Sequence, residues 1–315
     1  MSGRIQRIDR PTEGVDEDTP ATSGGRRYDL SGLAFAATAA IAFGTLAISA
    51  KLAYDEGADP IPLLAARFGI TSVILFAFHR ARRGSIRLPR RDLLVALGLG
   101  FGYACESLLF FLALERAPAS VVSLVFYSFP LWTNLMAAAF KLERMRSANV
   151  IALTLGSAGV ALIFSIEGIP STALLLALGS ALAVAIYLLA AQVALRTVEA
   201  AVAAVWTAVG ATITLSIAAL ATGRALPGEA IPAAGALGIA TAVAFICFYE
   251  AIGRIGSSRT SVASMLEPVA TVILAFIILG EAITGRVGIG AALIVAALPV
   301  LALARDRSSA APEGP

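Results

Sequence analysis

Ten apolar runs of roughly twenty residues follow one another along this chain, at 30–53, 62–78, 93–113, 119–140, 148–165, 172–195, 201–221, 232–252, 259–279 and 287–304. An α-helix needs about 20 apolar residues to cross the hydrocarbon core of a bilayer. Within lipid the backbone must satisfy its own hydrogen bonds, which leaves helices or closed barrels, and runs of this length select helices. Composition agrees: 58% of residues are hydrophobic, 14% are charged and the mean hydropathy is +0.84, outside the range of soluble domains. The expected fold is all-α integral membrane, with ten transmembrane helices.

The runs repeat. An offset of 138 residues sets Pro130 against Pro268, Glu143 against Glu281, and Arg116, Ser120, Ser123, Thr133 and Ala137 against Arg254, Ser258, Ser261, Thr271 and Ala275. The register extends upstream, where Leu99, Gly100, Phe110 and Ala113 match Leu237, Gly238, Phe248 and Ala251. Two homologous halves are expected, over 30–166 and 172–305, flanked by polar tails at 1–29 and 306–315. The first tail has no apolar core of signal-peptide type and reads as disordered.

Charge orients the chain. Arg4, Arg7, Arg10, Arg26 and Arg27, the loop from Arg80 to Arg91, and Lys141, Arg144 and Arg146 all fall on the side of the N-terminus, with Arg196, Arg254, Arg259, Arg305 and Arg307. Only Arg116, Arg224 and Arg286 fall in loops on the other side. By the positive-inside rule both termini are cytosolic. Five helices per half is an odd number, so the second half enters from the opposite face and the halves are inverted repeats, with a substrate site expected near the midplane between them. The net charge of +3 does not suggest nucleic acid as a partner. Cys105 and Cys247 lie within apolar runs at no metal-ligand spacing and are expected to be buried packing residues. Gly98, Gly100, Gly102, Gly156, Gly159, Gly285, Gly288 and Gly290 suit close helix packing.

The repeated block, FYSFPLWTNLMAAAFKLE and SMLEPVATVILAFIILGE, has a proline-bearing helix that ends in a glutamate and leads into a glycine-rich helix. With AISAKLAY and PLLAARF near the start, it resembles the drug/metabolite transporter superfamily in its two-domain EamA branch over nearly all of residues 30–305. The resemblance implies ten helices in inverted five-helix halves. It also implies a secondary transporter, commonly an exporter, of amino acids, purines or similar solutes, with a cavity lined chiefly by helices 3, 4, 8 and 9. Phe43-Gly44 replaces a tryptophan-glycine pair frequent in the family, and Glu106 departs from its pattern.

Within this frame the polar residues at bilayer depth become candidates. A carboxylate there costs several kcal/mol unless it faces water or a partner, so Glu106 and Glu267 are functional candidates by default. Each is matched by an apolar residue in the other half, Ala244 and Phe129 respectively. Such an asymmetric pair suits proton binding, because burial disfavours the charged form of a carboxyl. Pro268 is expected to kink its helix and free a carbonyl of Ser264, on a stripe with Thr260, Glu267 and Thr271. Pro130 marks the equivalent break. Tyr103, Tyr127, Trp132, Asn134, Tyr187, Tyr249 and Ser264 are the expected substrate-lining residues, in a pocket with further rings at Phe126, Phe129, Phe245 and Phe248.

Blander readings stand beside these. Either acid could be held structurally by nearby hydroxyls, and any single ring could be ordinary packing. Lys51 suits snorkelling to the outer interface. Arg67 suits an outer vestibule or pairing with Asp59 or Glu56. Glu143 and Glu281 are expected to face the positive end of the helix that follows each, and Glu250 to reach Arg254.

The leading function is a secondary transporter of a small organic metabolite, coupled to protons, with the bilayer, a solute and the proton as its partners and no cofactor. The alternative is a non-transporting membrane partner or assembly subunit. An enzyme lacks parts: the only histidine, His79, abuts the arginine loop, and there is no metal-ligand cluster. Nothing in the pattern specifies an oligomeric state.

Overall fold

A computed structural model of the chain describes residues 30–82, 84–140, 147–164, 168–194, 198–263 and 266–296. Its helices are α1 (Leu30–Asp55), α2 (Pro60–Ala81), α3 (Arg90–Leu114), α4 (Ala119–Phe126), α5 (Phe129–Ala139) and α6 (Ser147–Phe164). The second half holds α7 (Ser171–Ala194), α8 (Ala200–Thr222), α9 (Ile231–Ala263), α10 (Leu266–Leu279) and α11 (Gly285–Ala296). No strand occurs among the described residues. Six of the helices are long and apolar enough to cross a membrane. Large apolar side chains cover their outward faces, among them Leu220, Val73, Phe76, Phe101 and Ile217, and Ile277 does the same on the shorter α10. On a soluble domain that surface would be an aggregation liability; against lipid it costs nothing.

Local chemistry explains several boundaries. Asp59 caps α2, its carboxylate accepting from the Ile61 N–H at 3.0 Å, with Pro60 opening the helix. Proline suits that position because its missing N–H would have no intrahelical partner there.

The proline-bearing spans differ from the expected kinked helices. The run 119–140 is two helices, α4 and α5, separated by a turn at Tyr127–Ser128. In the second half α9 runs on to Ala263, so Thr260 belongs to its end, and Glu267 lies in the first turn of α10. Thr260, Glu267 and Thr271 therefore do not share one helical face. Pro130 and Pro268 each sit within the first turn of a half-helix, where no carbonyl loses its donor. The halves diverge before that point because Pro118 precedes α4 with an extended backbone, while the residue in its register is Gly256, which lets α9 continue.

Packing alternates between the halves. α1 lies on α9 and α10, α3 on α7 and α8, and α2 against α8 and α9, while α7 carries α4 and α5, and α4 touches α10. Exchanging each element for its repeat partner turns α1·α9 into α7·α3 and α3·α8 into α9·α2. The contacts thus come in matched pairs. At the α3·α8 crossing a side chain on Gly100 would meet the Thr207 carbonyl at 2.5 Å, and one on Gly210 would run into the Leu97 carbonyl. Bare backbone is what lets those helices touch.

One end of the bundle is packed much more fully. A continuous core joins Ala50 and Ala53 of α1, Leu63, Leu64 and Phe68 of α2, Phe111 and Leu114 of α3, Val121 to Val125 of α4, and Leu237 of α9. This is the end carrying Asp59 and Glu281. Asp59 there pairs with Arg224, and the Tyr54 hydroxyl donates to the Phe111 carbonyl at 2.9 Å. At the other end, Arg82 pairs with Glu250 beside a cavity of about 320 Å3 lined by Phe78, His79, Val205 and Tyr249.

The surface expectations need three corrections. Cys247 is buried, but Cys105 is exposed on an outward face of α3. Glu281 does not face the helix that follows it. Its carboxylate accepts from the Ala119 N–H at 2.5 Å, the Ser120 N–H at 3.0 Å and the Ser120 hydroxyl at 2.6 Å, capping α4 of the other half. Arg67 does not pair with Asp59, which is taken by Arg224, but lies buried inside the bundle. Glu250 lies 3.6 Å from Arg254, one turn along α9. Glu143 lies outside the described residues.

Candidate substrate-binding site

Polar side chains gather where α2, α3, α7, α9 and α10 meet. Arg67 is 4% exposed and its Nε donates to the Thr241 hydroxyl at 2.9 Å; that hydroxyl donates in turn to the Leu237 carbonyl at 2.7 Å. One turn on, Thr71 donates to the Gly238 carbonyl at 3.0 Å. The guanidinium carbon lies 4.8 Å from the Phe68 ring centre and 5.4 Å from that of Phe111. Tyr54, Tyr103, Glu106 and Glu267 are the other polar groups around it. Among the described residues Arg67 makes no ion pair.

Glu106 is 5% exposed and has a hydroxyl on each oxygen, Ser107 and Ser180 both donating at 3.0 Å. Ser180 comes from α7, so this carboxylate is held across the interface between halves. Glu267 is half-buried and held differently. Its carbonyl accepts from Thr271 at 3.1 Å, and the same hydroxyl lies 3.3 Å from the Gly44 carbonyl of α1. Its carboxylate faces the buried Tyr127 hydroxyl, which is placed to donate to it.

Aromatic rings connect this cluster to the more open end. Tyr103 lies 5.2 Å from Tyr187 and 6.4 Å from Phe245, and Phe245 lies 6.4 Å from Tyr249, which lines the cavity beside Arg82. A second group, Phe110, Phe126, Tyr127 and Phe129, packs around the turn between α4 and α5. Trp132 is turned back on that turn, its indole N–H donating to the Ser128 hydroxyl at 3.1 Å.

The structure thus brings Tyr103, Glu106, Tyr127, Tyr187, Tyr249 and Glu267 into one interior region, while Trp132 serves the α4–α5 turn. Asn134 belongs to α5, but its side chain lies outside what is described, as does Ser264 altogether. Arg67, Thr241, Ser107 and Ser180 were not among the expected site residues. The cap at Asp59 could have located Arg67: seven residues into a helix that starts at Pro60 is about 10 Å below its end. Chemically, the region offers two carboxylates that can take or give up protons, one cation and a set of aromatic walls.

An all-helical bundle whose outward faces are apolar, built from two interleaved halves with ionisable groups in its interior, defines a polytopic membrane protein. The EamA-like transporter family model matches residues 30–165 and again residues 171–303. The chain belongs to that family. Among solved structures it is similar to a crystal structure described only as that of a protein, with 25% identity, 88% of this chain and 99% of the other covered, and a TM-score of 0.64. No curated protein matches it.

Proposed function

We propose that the protein is a proton-coupled secondary transporter that moves a small amphipathic metabolite, an amino acid, a purine or a related solute, across the cell membrane by alternating access. Ten spans in two inverted halves, with both termini cytosolic, give the arrangement this requires. The observation that carries the reading is the pair Glu106 and Glu267, two carboxylates placed between the halves without a cation in ion-pair contact. Charges at this depth are retained where they bind a solute or an ion. With the termini inside, the sealed Asp59 end is external and the cavity beside Arg82 faces the cytosol, which makes this an inward-facing state. Export is the direction that the resemblance to drug/metabolite transporters implies.

The test is a thermal-stability screen of detergent-purified protein against amino acids, purines, organic cations and sugar acids at two pH values, followed by transport in proteoliposomes. A ligand that binds the folded state raises its unfolding temperature. Glu267→Gln should abolish proton-driven transport while the protein still inserts and folds, and Glu106→Gln, tested separately, should divide substrate binding from proton binding. Unchanged pH dependence of transport in Glu267→Gln would remove that residue from the coupling role.

A further inference from the structure

We infer that the solute carries a carboxylate group and that Arg67 receives it; this rests on the transporter reading above and narrows its substrate class to organic monocarboxylates with an apolar or aromatic body. Arg67 is buried, it is positioned by Thr241, and its guanidinium uses a single N–H, at Nε, in hydrogen bonding among the described residues. The four N–H groups of its two terminal nitrogens form the flat fork that matches a carboxylate. A guanidinium in the interior of a membrane protein is expensive without a counter-charge. Neither Glu106 nor Glu267 supplies one at ion-pair distance, although both lie in its surroundings.

The neighbours decide what kind of anion fits. Two carboxylates beside one guanidinium repel a dianion such as a phosphate ester, while a monoanion leaves the site neutral when both acids are protonated, which ties its binding to proton uptake. Glu106 is already engaged by Ser107 and Ser180, so it is not poised to turn toward Arg67. The rings of Tyr103, Tyr187, Phe245 and Tyr249 extend from Arg67 toward the cavity and can pack against the body of the solute. On the Glu267 side the Tyr127 hydroxyl lies beside the carboxylate and adds a polar group to the wall.

Three probes of the same shape separate the possibilities: 3-phenylpropionate, its neutral amide, and phenethylamine, each at millimolar concentration against purified full-length protein. 3-Phenylpropionate is expected to raise the unfolding temperature, and the amide and amine to leave it nearly unchanged. In Arg67→Gln the affinity for the carboxylate should fall at least about tenfold, with partial recovery in Arg67→Lys, which keeps the charge and loses the fork. The unliganded unfolding temperature of each variant reports whether it still folds, and the wild-type ranking of the three probes holds whether or not it does. Stabilisation by the amide or amine equal to that by the carboxylate would overturn the inference, as would no stabilisation by any of them, or undiminished carboxylate binding in a folded Arg67→Gln. Saturable proteoliposome uptake of a neutral or cationic solute, with no inhibition by 3-phenylpropionate, would reject the carboxylate class and leave the transporter reading standing.

Discussion

At the scale of single residues, the acids in this chain do three separate jobs, set by what surrounds them. Glu106 is clasped by two serines, Glu267 faces the Tyr127 hydroxyl, and Glu281 accepts three hydrogen bonds at the start of α4. The Glu281 cap is the easiest to measure. Glu281→Ala should lower unfolding stability by about 2 kcal/mol, since hydrogen bonds to a charged group contribute roughly 1.5–3 kcal/mol. Ser120→Ala should lower it by about 1 kcal/mol. If the two variants melt together with wild type, Glu281 does not cap α4. That Glu106 and Glu267 stand out in the sequence follows from their apolar flanks. Glu281 was legible as a helix-end acid, but which helix it serves was not, because the nearest helix in sequence is not the nearest in space.

Among the helices, prolines and glycines act by position. Pro130 and Pro268 open half-helices instead of kinking whole ones, and the contrast of Pro118 with Gly256 decides whether the preceding helix stops. The sequence pattern gives the presence of these prolines but reads each as a kink inside one helix, whereas α4 ends at Phe126 and α5 begins anew at Phe129. Glycines differ just as sharply. Gly100 and Gly210 leave room for backbone on the facing helix, whereas a Cβ on Gly98 would have nothing within 4 Å. Gly100→Val should therefore destabilise by about 1–3 kcal/mol or block folding, as overpacking does in tight cores. Gly98→Val should be close to neutral. Purified yield and unfolding temperature of the pair check this, and equal behaviour would mean that the α3·α8 crossing is not as close as described.

For the molecule as a whole, the consequence of interleaved halves is that opening one end requires repacking surfaces shared by both. The Asp59 end is closed by a continuous apolar core, with Leu63 and Val121 at 0% and 2% exposure, and the Arg82 end holds the cavity. In a background without Cys105 and Cys247, a cysteine at Val121 should react slowly with a membrane-impermeant maleimide and one at Ser85 quickly, when each is probed in detergent. A transported solute should narrow that difference as the other state becomes populated. Equal rates from the start would mean that the arrangement closed at the Asp59 end and open at the Arg82 end is not the resting one. The Asp59–Arg224 and Arg82–Glu250 pairs are solvent-exposed on their arginine side, so Arg224→Gln should cost no more than about 1 kcal/mol of stability.

Sequence alone determined that this chain crosses a bilayer, that it does so in helices, that its two halves repeat in register and that two acids lie where lipid should be. Those properties depend on span length, on the composition of each span and on the spacing between spans, all of which can be read without knowing what touches what. Only the tertiary structure decided that Arg67 shares the interior with those acids, that Glu281 caps a helix of the opposite half and that the two ends of the bundle are packed unequally. The physical reason is the same in each case. A side chain's partners belong to whichever helix packs beside it, and in this bundle the closest neighbours come from the other half of the chain.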